Sequence, residues 1–158
     1  MPSGPLAHIC LLVKDLDAAV TNWRTILEVV DPAQLENPVV VMNDFEAGGD
    51  VMRWATFVNH AGCEIQLLQP KTGPLYERLQ KHGEGVHHIA FCREDLPEVV
   101  AELRERGIAL TSDELSQDPI LPWQAWTFIS PRSANGVLVE LAYAYKAVNG
   151  AWQPARAR

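Results

Sequence analysis

Gly83-Glu84-Gly85-Val86-His87-His88-Ile89-Ala90-Phe91 is the stretch from which the rest of the chain is read. A Gly-Glu-Gly turn leads into a strand-forming run with two adjacent histidines, and Arg93-Glu94-Asp95-Leu96-Pro97 behind it reads as a helix start. Side chains alternate across a strand, so His87 and His88 are expected on opposite faces, with one of them looking into a given cleft.

The N-terminus supplies the partner. Leu6-Ala7-His8-Ile9-Cys10 is the same kind of strand, and Lys14-Asp15-Leu16 with Val20 echoes Glu94-Asp95-Leu96 with Val100, 80 residues later. In that register His8 matches His88, not His87. A second echo, offset by 74, relates Gly62-Cys63-Glu64-Ile65-Gln66-Leu67 to Gly136-Val137-Leu138-Val139-Glu140-Leu141, so Gln66 matches Glu140. Two copies of one unit each offer a residue from the first strand and one from the last: His8, Gln66, His88 and Glu140. These four form a candidate metal site.

Between the echoes the pattern predicts two βαβββ modules in an α+β fold. Module 1 spans about residues 5–70, with a helix capped by Asp15 and strands at 39–42, 51–59 and 63–69. Residues 71–83 are a linker with a short helix at 75–81. Module 2 spans about 84–145, with strand 85–92, helix 95–106 opened by Asp95 and Glu98 in capping-box spacing, strand 108–112, and strands near 124–130 and 136–143. Residues 1–145 thus read as one domain and 146–158 as a loosely held tail.

A chain of 158 residues with 47% hydrophobic and 21% charged residues is ordinary for a globular protein. The formal net charge of −7 argues against a nucleic-acid or anionic-membrane partner, because such binding needs clustered Lys and Arg. The start of the chain lacks signal-peptide features and no apolar run approaches the roughly 20 residues of a membrane span, so a cytoplasmic location is expected. Cys10, Cys63 and Cys92 are widely spaced in apolar runs and read as reduced thiols.

Strand alternation assigns faces. Cys63, Ile65 and Leu67 point toward the helix, while Glu64, Gln66 and Leu68 point to the concave side; Val137, Val139 and Leu141 likewise oppose Leu138, Glu140 and Ala142. A carboxylate amid apolar neighbours, as Glu140 is, requires a partner, and a cation ligated by His8 and His88 supplies one. The alternative is a hydrogen-bonded His/Glu network without metal. His60 and His82 fall in turns and read as solvated. Trp54, Trp123 and Trp126 are placed either to line a pocket or to pack in the core.

At this point the sequence resembles the vicinal oxygen chelate superfamily, and within it the methylmalonyl-CoA epimerase group. The resemblance is carried by His8-Ile9 with Val13-Lys14-Asp15-Leu16, by Gln66-Leu67-Leu68-Gln69-Pro70, by Gly85-Val86-His87-His88-Ile89-Ala90-Phe91 and by Gly136-Val137-Leu138-Val139-Glu140-Leu141. It implies a curled mixed sheet around one divalent ion (Zn, Co, Ni, Mn or Fe), bound at His8, Gln66, His88 and Glu140. It also implies a substrate, an acyl-CoA or a 2-oxo compound, that loses a proton beside its carbonyl while the metal stabilises the enolate. A homodimer is expected.

The epimerase type has a second carboxylate on the third strand of module 1. Here that strand reads Val51-Met52-Arg53-Trp54-Ala55, with no carboxylate, and Arg53 is either a surface charge or a cavity cation. With Glu140 as ligand and candidate base, the second acid/base is sought at Glu46 or Glu64. The alternatives are a glyoxalase-type lyase and a metal-free small-molecule (antibiotic) binding protein of the same fold. A ring-cleaving dioxygenase is disfavoured by a fourth ligand at Gln66.

Overall fold

The structure, a computed structural model, describes residues 6–155. Module 1 begins with strand β1 (Leu6–Leu12) and helix α1 (Leu16–Val30), followed by β2 (Val40–Ala47), β3 (Asp50–Phe57) and β4 (Glu64–Thr72). Helix α2 (Pro74–His82) connects to β5 (Gly85–Arg93) and α3 (Leu96–Glu105), then the short β6 (Ser116–Gln117), β7 (Ala125–Ile129) and β8 (Val139–Tyr143). These strands form one mixed sheet in the order β2-β3-β4-β1-β5-β8-β7-β6, curled into a half-barrel with the three helices outside it.

The repeat is visible in the strand register. β1 runs parallel to β4 with Cys10 opposite Gln66 and Leu11 opposite Leu67. β5 runs parallel to β8 with Ala90 opposite Glu140 and Phe91 opposite Leu141. Adding 80 to each β1 position and 74 to each β4 position converts the first set of pairs into the second. The two modules meet where β1 pairs antiparallel with β5 at the centre of the sheet.

Each helix covers one outer face. α1 opens at Asp15, whose carboxylate accepts from the Ala18 amide at 3.0 Å, and it buries Leu16 and Leu27 against Ala55, Phe57 and Leu67. α3 buries Leu96 and Val100 against Leu141. The residues assigned by alternation to the helix side, Ile65, Leu67 and Leu141, lie there, leaving Gln66 and Glu140 to the concave side.

Four local expectations differ from what is observed. Asp95 does not cap α3; its carboxylate is taken by the Arg93 guanidinium through two 2.8 Å hydrogen bonds. The strand expected at 108–112 is reduced to a single bridge between Leu110 and Ile129. β2 continues to Ala47, beyond the strand expected at 39–42, absorbing the positive φ of Asp44 in an irregularity between Met42 and Phe45. Residues after 145 are not a loose tail as far as they are described: β9 (Tyr145–Val148) and β10 (Ala151–Pro154) form a hairpin about Asn149-Gly150. Trp152 packs from it onto Trp54 and Tyr145, with ring centroids 6.2 and 4.6 Å away. Residues 156–158 of the expected tail, and the first residue of module 1 as read, lie outside the described residues. Among the described residues no helix is long and apolar enough to cross a membrane.

Candidate metal centre

The concave side of the sheet encloses a cavity of about 440 Å³, and His8, Gln66, His88 and Glu140 all line it. His8 comes from β1, His88 from the neighbouring β5 and Glu140 from β8 beside that, so three adjacent strands bring three metal-ligating side chains to one point. His8 Nε2 lies 3.2 Å from His88 Nε2 and 3.3 Å from Glu140 Oε2, and His88 Nε2 lies 2.7 Å from the same oxygen. Bonds of about 2.0–2.2 Å meeting at angles of about 90–110° would set neighbouring ligand atoms about 2.8–3.6 Å apart, so this triangle, with edges of 2.7, 3.2 and 3.3 Å, is close to the size of one face of a coordination sphere.

Gln66 lines the same cavity. Its amide nitrogen donates to Thr56 Oγ1 at 3.3 Å across the β3–β4 pair, so its amide oxygen is the candidate ligand atom. Two imidazoles, a carboxylate and an amide oxygen are a donor set for a borderline divalent ion. The residues present fit the group. Both histidines are buried, at 4% and 5% exposure, so the two rings and the carboxylate face one another away from bulk water. Burial alone would raise the Glu140 carboxyl, but His88 and His8 beside it outweigh that and hold it well below the ordinary carboxylate range.

His87 is where strict alternation fails. Across the central pair, Cys10 stands opposite His88 but Leu11 stands opposite Val86, so His87 is the extra residue of a β-bulge. The bulge turns its ring to the same cavity as His88, with their Nδ1 atoms 2.8 Å apart. Burial, followed by the nearby His88 and Arg78, lowers its pKa to about 4, so His87 is neutral at physiological pH. Cys10 lies next to this pair and can approach the same ligand atoms. Burial and the Glu140 carboxylate raise its thiol pKa well above normal, which keeps it protonated and packed among apolar side chains.

The two candidates for the second acid/base occupy different places. Glu46 is exposed at the cavity rim and lines it, as does the nearby Asp50. Glu64 shares the face of Gln66, as alternation requires, but does not line the cavity: it is 2% exposed, one oxygen accepts from the Tyr145 hydroxyl at 2.9 Å and the other from the Asn59 amide at 3.0 Å. Tyr145 also reaches His8 Nδ1, at 3.0 Å. Arg53 points out of the cavity, donating to Asn43 at 2.8 Å and to Asp17 at 3.3 Å. His60 and His82 are both exposed, as expected, His60 in a turn and His82 as the last residue of α2.

The rest of the cavity wall is aromatic. Trp54, Trp123 and Trp126 line it together with Phe45, Phe128 and Trp152. Sequence reasoning missed His87, Tyr145 and Trp152. The signal for the last two is the Asn149-Gly150 dipeptide between two short strand-like runs.

Residues 7–119, more than half of the chain, match the model of the glyoxalase/bleomycin resistance protein/dioxygenase superfamily. The chain belongs to that superfamily. Its relatives include the mitochondrial methylmalonyl-CoA epimerase of Homo sapiens, 30% identical over 148 residues, covering 89% of this chain and 74% of the relative. The ethylmalonyl-CoA/methylmalonyl-CoA epimerase of Cereibacter sphaeroides is 30% identical over 146 residues, covering 87% of this chain and 96% of the relative. Among solved structures, a Streptomyces coelicolor methylmalonyl-CoA epimerase variant in complex with 2-nitronate-propionyl-CoA superposes with a TM-score of 0.67 at 26% identity, covering 90% of this chain and 96% of that one. These similarities support an epimerase-type function.

Proposed function

We infer that the protein is a metal-dependent isomerase that removes and returns a proton at a carbon next to a carbonyl. The observation that carries the reading is the convergence of His8 Nε2, His88 Nε2 and Glu140 Oε2 within 3.3 Å of one another in a cavity large enough for a small substrate. His8, Gln66, His88 and Glu140 would hold one divalent ion. Bound there, such an ion would supply Lewis-acid stabilisation of charge developing on a carbonyl oxygen, a contribution of several kcal/mol.

The chain's own groups would do the rest. The cavity wall is largely aromatic, and in such weakly polar surroundings an electrostatic contact is stronger than the same contact in solution. Glu140, itself one of the four ligands, faces the cavity and is the candidate for one acid/base. Glu46 is the other: it lines the cavity from β2, with its carboxylate at the solvent-facing rim. Glu64 is less suited, because both its oxygens already accept hydrogen bonds away from the cavity. The substrate class, an acyl-CoA of the malonyl type or a 2-oxo acid with adjacent oxygens, is supported by the names of the relatives and by the ligand set.

The test is deuterium exchange into methylmalonyl-CoA and a panel of 2-oxo acids at saturating Zn2+ or Co2+. Glu140→Gln is expected to abolish exchange, and Glu46→Gln to slow it by about 10²–10⁴-fold. Glu64→Gln is expected to retain it. Full activity in Glu46→Gln would show that the second acid/base lies elsewhere, and no exchange with any carbon acid would overturn the isomerase reading.

A further inference from the structure

His8 is held from behind by a buried chain. The Tyr145 hydroxyl donates to Glu64 Oε1, 2.9 Å away, and the other Glu64 oxygen accepts from the Asn59 amide at 3.0 Å. That leaves a lone pair of the Tyr145 oxygen facing His8 Nδ1 at 3.0 Å, and the hydrogen bond then requires the proton of His8 to sit on Nδ1. Nε2 is thereby left with its lone pair aimed at the point where His88 and Glu140 converge.

The repeat does not impose this arrangement. The module 2 counterpart of Glu64, at an offset of 74, is Leu138, an apolar cavity-lining residue. Tyr145 belongs to the C-terminal hairpin, outside both βαβββ units. A carboxylate of 2% exposure is costly to bury, and its partners here lead to one metal-facing histidine.

We propose that Glu64 and Tyr145 are positioning residues of the metal centre, fixing the tautomer and ring orientation of His8 so that its Nε2 faces the ion. The inference rests on the metal reading above. It gives the C-terminal hairpin a role at the site, because Tyr145 is its first residue and Trp152, in its second strand, packs against Tyr145.

The test measures Zn2+ and Co2+ affinity by competition with a chromophoric chelator in the wild type, Tyr145→Phe, Glu64→Gln, the double variant and His88→Ala. Each single outer variant is expected to bind about 10–100-fold more weakly, the usual effect of losing such a partner. The double variant is expected to be no weaker than the worse single one, since the two residues act in series. Affinities within about twofold of wild type in both single variants, with His88→Ala still losing the ion, would overturn the proposal and leave the metal reading intact. Wild-type affinity in His88→Ala would instead overturn the metal reading and the proposal with it. The wild type alone gives a further check that needs no variant: nitrogen-15 shifts of metal-free protein at about pH 8.5, above the ordinary histidine range, are expected to show His8 protonated at Nδ1. A proton on Nε2 overturns the proposal. A purely structural role for Tyr145 would lower the unfolding temperature of Tyr145→Phe while leaving the His8 tautomer and the affinity unchanged.

Discussion

His88 Nε2 lies 2.7 Å from Glu140 Oε2, on neighbouring parallel strands one module-length apart from the His8–Gln66 pair. The contact joins an imidazole to a carboxylate whose proton affinity is held down by both histidines. It sits at the floor of an aromatic cavity, where an unpaired carboxylate would be costly. The same contact therefore accounts for the charge state of Glu140 and for its suitability as a ligand.

The turn above the cavity depends on Gly73. Its φ is +103°, and a Cβ there would collide with the Gly49 carbonyl oxygen and the Asp50 carboxylate. Gly73→Ala is expected to cost about 1–3 kcal/mol in denaturant unfolding. An unchanged midpoint would show that the β2–β3 turn and the start of α2 are not packed as described.

Asp50 gives a pH signature. Burial pushes its carboxyl up, only partly offset by the hydrogen bond it accepts from the Leu75 amide at 2.8 Å. A raised folded pKa means the folded state holds the proton more tightly, so its stabilising contribution is complete below the ordinary value of about 3.9 and is lost as pH rises through the folded value. Asp50→Asn keeps the acceptor without the charge. As pH rises from below the ordinary carboxylate range to neutrality, the wild type is expected to lose stability relative to this variant in urea titrations, and a gap that is constant or moves the other way would contradict the assignment.

Trp152 tests the C-terminal hairpin. Its ring stacks on Trp54 and meets Tyr145 edge-on. Trp152→Ala is expected to destabilise the fold by about 1–3 kcal/mol and to change the environment of Trp54, read from tryptophan fluorescence. A variant with unaltered stability and spectrum would mean that residues 146–155 are the loose tail the sequence suggests.

Much of the site is legible in the sequence because it sits on a repeated unit with a strict period of two. The offsets of 80 and 74 pair His8 with His88 and Gln66 with Glu140, and alternation puts Gln66 and Glu140 on the concave face. Glu64 shares that face, yet alternation says nothing about its commitment to Asn59 and Tyr145, which depends on a contact across 81 residues. His87 escaped for a related reason: a bulge breaks the period, and it is fixed by the register of β1 on β5, which pairing sets and neither strand shows alone. The strand expected at 108–112 has the composition of a strand, but Leu110 finds a single bridging partner in Ile129.

The proposed centre holds one divalent ion at His8, Gln66, His88 and Glu140. The most direct measurement is the metal stoichiometry of untagged protein equilibrated with Zn2+ or Co2+ and freed of excess. About one tightly bound ion per chain is expected in the wild type and in His60→Ala, whose ring is exposed and does not line the cavity. His88→Ala and Glu140→Ala are each expected to lose it. Equal metal content in wild type, His88→Ala and Glu140→Ala would contradict the account.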